Sequence, residues 1–265
     1  MPSPLQVVRR GNGSPVLLIH GTGATAEFWS PAAERLAERC HVVTYDRRGT
    51  GRAAHLGTGH HDVHAEDAAE IIRSLGVGEV TVVGWSMGGI VALCLAHRHP
   101  ELVRRLVLQE PPLYARNDFG FDILRGIVPA IALSKLGMKV RAAERFNRWT
   151  YSSGGTGYDE WPEPWKDATR RHARTICDEI DIGTGERVLT PADVRAIAHP
   201  AVGLVGERSL PYYRRAMERI GALMPQLHVT TIPGGNHAMH VDATDAWVEA
   251  VARAATAASG PRATG

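Results

Sequence analysis

The feature of this chain that most constrains its fold is a regular alternation of short apolar runs with amphipathic stretches. Apolar runs at residues 16–19, 41–45, 79–83, 104–109, 201–205 and 227–232 predict buried strands. The stretches at residues 31–39, 62–75, 86–98, 212–223 and 244–257 predict helices. Continuous apolar strands that alternate with helices indicate an α/β fold, in which a mostly parallel sheet is covered by helices on both faces.

The alternation is interrupted once, in the middle of the chain. Between residues 111 and 199 the pattern predicts helices at 121–133, 142–151 and 164–179 and no buried strand. A chain of 265 residues can hold one α/β core and an insertion of this size. We therefore predict a core formed by residues 1–110 and 200–257, an inserted helical cap at 111–199 and a flexible tail at 258–265.

Composition and charge exclude several classes of protein. The fractions of hydrophobic (44%) and charged (22%) residues are near the average for globular proteins. The net charge is only +2, and the basic residues are spread along the chain without a long basic run, so we expect no nucleic-acid partner. The three cysteines, Cys40, Cys94 and Cys177, are too few for a disulfide framework. No signal peptide and no run of about 20 apolar residues is visible, so we expect a cytoplasmic protein without a membrane partner.

The most specific motif is Gly84-Trp85-Ser86-Met87-Gly88, which follows one predicted strand and opens the next predicted helix. In this G-x-S-x-G pattern the sharp turn from strand to helix exposes the serine hydroxyl, and the glycines relieve the crowding around it. A glycine-rich turn with an incidental serine is the alternative. The context of strand, turn and helix favours Ser86 as a nucleophile.

A serine nucleophile needs a base, and His237 is the best placed of the 13 histidines. It follows the last predicted strand, so its loop and Ser86 share the carboxyl edge of the sheet, where open α/β sheets place their sites. His240 is the nearest rival, and we interpret it as a neighbour in the same loop. For the oxyanion hole we predict the backbone N–H groups of Met87, directly after the nucleophile, and of Thr22, in the loop after the first predicted strand.

Together these motifs resemble those of the α/β-hydrolase superfamily. The resemblance covers residues 5 to about 257 and rests on His20-Gly21-Thr22-Gly23, on residues 45–51 (YDRRGTG), on residues 84–89 (GWSMGG) and on residues 233–237 (PGGNH). It implies the α/β-hydrolase fold with a helical cap, and a serine hydrolase that uses a catalytic triad without a cofactor or a metal.

The third member of the triad departs from the usual pattern. Many such hydrolases carry an aspartate after the strand before the last one, in a G-x-x-D pattern, but this chain has Ser209 there. Glu110, which ends the strand after the nucleophile helix, resembles the acid of haloalkane dehalogenases and zearalenone lactonases. We predict a Ser86–His237–Glu110 triad. Glu207, acting from the usual loop, and a merely structural Glu110 remain as alternatives.

Serine at the nucleophile position favours acyl transfer over attack by a carboxylate on carbon. The leading hypothesis is a hydrolase of carboxylic esters or lactones. A thioesterase or off-loading enzyme of a biosynthetic pathway would use the same triad, and a non-catalytic small-molecule-binding protein is a third possibility. The sequence leaves the oligomeric state open.

Aromatic residues are concentrated in the insertion, notably in residues 158–165 (YDEWPEPW). The prolines predict a loop whose aromatic side chains are not all buried. We predict that Trp85, Tyr158, Trp161 and Trp165 bind a bulky apolar or aromatic small-molecule substrate.

A histidine cluster near residue 60 contains a pair at i and i+4 spacing, which metal sites sometimes use. It comprises His55, His60, His61 and His64. The flanking glycines favour a solvated loop, so we predict no metal site there.

Overall fold

The computed structural model describes residues 5–113, 120–154, 156–185 and 189–258. Residues 1–4, most of the predicted tail (259–265) and two of the insertion's aromatic residues, Tyr114 and Phe119, lie outside the described residues.

The described residues form one seven-stranded sheet with helices on both faces, as the alternation predicts. The strands are β1 (Val7–Arg10), β2 (Ser14–Ile19), β3 (Cys40–Tyr45), β4 (Val80–Trp85), β5 (Val103–Gln109), β6 (Ala201–Gly206) and β7 (Leu227–Ile232). Their order is β1-β3-β2-β4-β5-β6-β7. All neighbours are parallel except β1, which pairs antiparallel with β3.

Helices connect the strands and fill the insertion. They are α1 (Ser30–Leu36), α2 (His61–Leu75), α3 (Met87–Arg98), α4 (Phe121–Lys135), α5 (Lys139–Thr150), α6 (Glu163–Arg171), α7 (Ala173–Gly185), α8 (Pro191–Arg195), α9 (Pro211–Leu223), α10 (Met239–Asp242) and α11 (Thr244–Thr256). Helices α4 to α8 lie between β5 and β6 in the chain, and the described residues of that interval contain no strand. None of the helices within the described ranges is long and apolar enough to span a membrane.

The core is divided by the sheet because successive residues of a strand point to opposite faces. In β2, Leu17 and Ile19 pack with α2 and α3, whereas Val16 and Leu18 pack with α1 and α11. All four side chains are fully buried. Strand β2, an interior strand of the sheet, is therefore apolar on both faces, and such strands appear in the sequence as continuous apolar runs.

The structure differs from the sequence-based predictions in three places. Strand β1 was not predicted, because it is a four-residue edge strand that ends in two arginines. The predicted helix at 164–179 is two helices separated at His172, whose Nε2 accepts a hydrogen bond of 3.2 Å from the backbone of Gly51. The histidines His61 and His64 lie in α2 and are buried, so the predicted solvated loop is wrong for them.

Candidate active site

Ser86 lies at the junction of β4 and α3, in a backbone conformation that few residues adopt. Its φ is 55° and its ψ is −122°, which for a residue with a side chain costs about 1–3 kcal/mol. The surrounding backbone leaves no room for larger residues: a Cβ on Gly84 would lie 2.3 Å from the carbonyl oxygen of Gly88, and one on Gly88 would lie 2.1 Å from that of Ile19. The turn therefore requires these glycines.

Glu110 shares this strain and lies one strand away. Its φ is 48°, and Ser86 and Glu110 are the two non-glycine residues with positive φ in the part of the chain that the structure describes. Such strain persists only where the surroundings enforce it, and it is concentrated at functional sites. Two of the three residues predicted for the triad, Ser86 and Glu110, are therefore held in unfavourable conformations.

The carboxylate of Glu110 is fully buried and bonded at both oxygens. Its Oε2 accepts a hydrogen bond of 2.6 Å from Nδ1 of His237, and its Oε1 accepts one of 2.9 Å from the backbone N–H of Gly206. Donation from Nδ1 leaves Nε2 of the neutral imidazole as the proton acceptor. The structure thus brings His237 and Glu110 into the direct contact that a base and its orienting acid require.

The alternative acid, Glu207, is engaged elsewhere. Its exposed carboxylate accepts a hydrogen bond of 2.8 Å from the backbone of Gly234. Ser209, at the position where an aspartate is usual, is buried, and its hydroxyl has no hydrogen-bond partner among the described residues. The geometry favours Glu110 over Glu207.

His240 lies close to the site but is held as a packed, neutral side chain. It stands between Trp29 and Trp85, with ring centroids 4.3 and 4.5 Å away, and Gln109 Nε2 lies 3.1 Å from its Nδ1. Burial, and then the neighbouring His237, lower its pKa to about 3. The same Gln109 amide donates a 3.0 Å hydrogen bond to the backbone carbonyl of His237, so Gln109 links His240 to His237.

Tyr213 and Tyr151 lie beside the ring of His237, and the sequence analysis proposes neither of them as a site residue. The ring of Tyr213, from α9, is stacked on His237 with a centroid distance of 3.8 Å and an interplanar angle of 9°. Tyr151, from the insertion, has its ring centroid 5.9 Å from that of His237. Burial raises the pKa of both phenols well above the usual value, so both stay neutral. The stacked contact with Tyr213 fixes the plane of the imidazole ring.

The two backbone groups predicted for the oxyanion hole flank Ser86. Met87 is the first residue of α3, so its N–H has no acceptor within the helix. The loop that contains Thr22 packs closely against Ser86, since a Cβ on Gly21 would lie 2.9 Å from the Cβ of Ser86. Thr22 itself is half-buried. These positions suit the predicted role.

A buried arginine ties this loop to the insertion. Arg47 donates to the carbonyl oxygens of His20 (2.9 Å) and Gly21 (3.2 Å), and it forms two hydrogen bonds, of 2.8 and 3.2 Å, with the carboxylate of Glu179 in α7. Neither side chain of this ion pair is exposed. Burial and the charge of Arg47 lower the pKa of His20 to about 3, and His20 Nε2 accepts from the backbone of Arg47 (3.0 Å). The loop that contains Thr22 is therefore linked, through Arg47, to Glu179 of the insertion.

The predicted substrate-binding aromatics are more buried than the sequence suggested. Trp85, Tyr158 and Trp161 are nearly inaccessible, and Trp165 is half-buried and stacked on Phe28 at 4.1 Å. The prolines end a short turn and begin α6, so the segment packs as an ordered element. Tyr158 contacts Trp161 (5.2 Å) and the guanidinium of Arg148 (5.2 Å).

The remaining members of this cluster connect the base to the insertion. Tyr151 and Trp161 have ring centroids 4.6 Å apart, and Trp161 lies 5.3 Å from Phe28.

A separate cleft of about 790 Å³ lies between the edge of the sheet and the insertion, with Arg10, Asp46 and Arg171 in its lining. Ser86, Glu110 and His237 do not line this cleft.

The fold and this constellation together define a hydrolase-type α/β site. Residues 16–253 match the profile of the alpha/beta hydrolase family, so the chain belongs to that family.

Relatives of the chain are hydrolases of several kinds. RutD of Caulobacter segnis, named as a carbamate hydrolase, is 43% identical over 96 residues, which is 35% of this chain and 36% of the relative. The chain thus matches only about a third of that relative's length. The 2-(acetamidomethylene)succinate hydrolase of Mesorhizobium japonicum is 28% identical over 249 residues, covering 88% of this chain and 84% of the relative. The structure of an esterase from Exiguobacterium antarcticum shares the fold, with a TM-score of 0.77 and 18% identity over 96% of each chain.

Proposed function

We propose that this protein is a serine hydrolase that cleaves a carboxylic ester or lactone through an acyl-enzyme. One observation carries the proposal: a buried carboxylate lies 2.6 Å from Nδ1 of His237, and the carboxylate's residue and Ser86 share a strained backbone. Membership of the alpha/beta hydrolase family supports the same reaction class.

In this mechanism Ser86 Oγ attacks the carbonyl carbon while His237 Nε2 accepts its proton. Glu110 holds the imidazole in the required tautomer and stabilises the imidazolium that forms. The N–H groups of Met87 and Thr22 stabilise the negative charge on the tetrahedral oxygen. His237 then returns the proton to the leaving alkoxide, and water, activated by the same base, releases the acid.

The aromatic cluster supports a bulky apolar or aromatic substrate. Rings follow one another from His237 through Tyr151, Trp161 and Phe28 to Trp165, the half-buried end of the series. We place the non-reacting part of the substrate against Trp165, the half-buried ring. Trp161 packs beside Trp165, and Tyr158 and Trp85 lie deeper in the same buried cluster, so they act by supporting the rings that the substrate contacts. Trp161→Ala and Trp165→Ala should each lower kcat/KM for the best substrate at least several-fold. Unchanged kcat/KM in both variants would contradict this placement.

A second candidate reaction is cleavage of a carbon–nitrogen acyl bond. The Mesorhizobium relative, which matches most of the chain, is named as a hydrolase of 2-(acetamidomethylene)succinate. The triad chemistry is the same, but the leaving nitrogen must be protonated as it departs. Activity on an enamide with no activity on aryl or alkyl esters would favour this candidate.

The decisive experiment combines active-site labelling with a substrate panel. A fluorophosphonate should modify Ser86 of the wild type, as located by mass mapping, and should not modify Ser86→Ala. Turnover is then measured with esters, lactones, thioesters and enamides. Thioester preference would favour an off-loading enzyme. Absence of both labelling and turnover would refute the enzyme and favour a binding protein.

A further inference from the structure

Helix α4 departs from the usual rule for a surface helix, because its outward side is apolar as well as its packed side. Its exposed positions are Phe121, Leu124, Arg125, Val128, Ala132 and Lys135. At 100° per residue they occupy an arc of about 100° along one side of a helix about 22 Å long. Four of these six residues are apolar, and the other two are cationic.

The apolar surface continues through the turn into α5. Leu136 is 71% exposed, and Met138 and Val140 are also exposed. Within the described residues, six of the eight exposed large hydrophobic side chains lie between positions 121 and 140, and the other two are Val77 and Val229. Contiguous exposed apolar surface of this kind marks an interaction site. We call the exposed residues from 121 to 141 the α4 face.

The charges on the α4 face have one sign. Arg125, Lys135 and Arg141 are exposed there, and none of the exposed positions from 121 to 141 is acidic. Lys135 is paired with Asp181 of α7 at 2.9 Å, so the net positive charge of the face comes from Arg125 and Arg141. The two acids nearest in the chain are paired elsewhere: Asp122 with Arg215 at 3.0 Å, and Glu144 with Arg170 at 3.3 Å. The face therefore suits an anionic partner that offers apolar contact.

We propose that the α4 face docks on a lipid bilayer surface that carries anionic headgroups. Apolar side chains at 121, 124 and 128 enter the boundary between headgroups and acyl chains, and the flanking cations pair with phosphates. This occupant differs from the sequence-based expectation of no membrane partner, because that expectation addressed only spanning segments.

Two other occupants fit the face less well. A second copy of the chain, related by two-fold symmetry, would bring Arg125 and Arg141 close to their counterparts, and the α4 face has no exposed acid to offset these two charges. A folded acidic protein would need a groove to receive the ridge, since Phe121 (71% exposed) and Leu124 (54%) stand out from the surface. A fluid bilayer adapts to a convex ridge without a preformed groove.

The test is vesicle flotation with the full chain, using phosphatidylcholine vesicles with and without about one-third phosphatidylglycerol. We expect binding to the anionic vesicles, at least tenfold weaker binding to neutral ones, and loss of binding as sodium chloride is raised. Phe121→Ser/Leu124→Ser/Val128→Ser should weaken binding at least tenfold. Arg125→Gln/Arg141→Gln should weaken binding to anionic vesicles only.

The matched control is Val77→Ser/Val229→Ser, which removes the two comparable exposed side chains elsewhere and should bind as the wild type does. The proposal is overturned by failure of the wild type to float with anionic vesicles, or by equal losses in the triple and control variants. Self-association that the triple variant abolishes, measured by light scattering without vesicle binding, would assign the face to a second copy. Binding to polyglutamate but not to vesicles would assign it to an acidic protein.

Discussion

Helices α3 and α4 are both rich in apolar residues, but they use them differently. In α3, ten residues from Met87 to Ala96 are buried, because the helix lies between the sheet and α2. In α4, four of 15 residues are buried, and apolar residues lie on both sides of the helix. Its isoleucines pack inward, whereas Phe121, Leu124 and Val128 are exposed. Burial of α3 fixes Ser86 at its N-terminus. The exposure of α4 leaves apolar surface for contacts outside the molecule, so apolar content alone does not distinguish a core helix from a docking helix.

The largest expected effect lies at the sheet edge that α3 helps to build. Glu110→Gln should lower kcat by about 10³–10⁴-fold, because the imidazole loses its orienting anion. Glu207→Gln is the matched control and should change kcat less than twofold, since its carboxylate contacts a loop N–H. Steady-state kinetics on the best substrate measure both. The opposite ranking would move the acid to Glu207.

The buried ion pair between Arg47 and Glu179, which links the sheet to the insertion, should give the next largest effect. Glu179→Gln leaves the buried Arg47 without a counter-charge and should lower the free energy of unfolding by about 3–5 kcal/mol. In Arg47→Met/Glu179→Met much of that stability should return, because apolar pairs replace buried ion pairs well. In the double variant the carbonyls of His20 and Gly21 lose their donor, so its kcat should be lower than that of the wild type. Urea denaturation and kinetics on the three proteins test this; full recovery of kcat would limit the ion pair to a structural role.

The same substitution on α3 and on α4 tests the comparison directly. Val91→Ser in α3 should cost about 2–4 kcal/mol of stability, because Val91 is fully buried. Val128→Ser in α4 should change stability by less than about 0.5 kcal/mol, because Val128 is 46% exposed. Urea unfolding measures both. A large cost for Val128→Ser would show that the α4 face is already part of a packed interface.

Acid should destabilise the protein through its buried histidines. Burial, and then the charge of Arg47, lower the pKa of His61 to about 4. Between pH 6.5 and pH 4, His61 is therefore protonated in the unfolded chain but remains neutral in the folded chain. Stability is therefore lost as pH falls from about 6.5 to about 4, by up to about 1.4 kcal/mol per pH unit for this group. His61→Leu should reduce that slope, whereas the exposed control His55→Asn should not. Equal slopes in both variants, measured by urea unfolding, would contradict the assignment.

The sheet could be predicted from sequence because its strands are buried on both faces and therefore read as continuous apolar runs. Ser86, His237 and Glu110 could be proposed because each follows a strand at the same sheet edge. The pairing of Arg47 with Glu179 could not, because 132 residues separate them and each reads as an ordinary surface charge. The direction of α4 was equally hidden, since an apolar stripe predicts a buried side until the packing is known.

The hydrogen bond from Gly206 N–H to Glu110 has a consequence for how such sites can change over time. It shows that the ends of the neighbouring strands β5 and β6 meet beside the loop of His237. A carboxylate could be supplied from either strand end, because Ser209, whose hydroxyl has no hydrogen-bond partner within the described residues, follows β6 at the same edge. A lineage could carry acids at both positions for a time and then lose either one, so that the acid migrates across the sheet while nucleophile and base stay fixed.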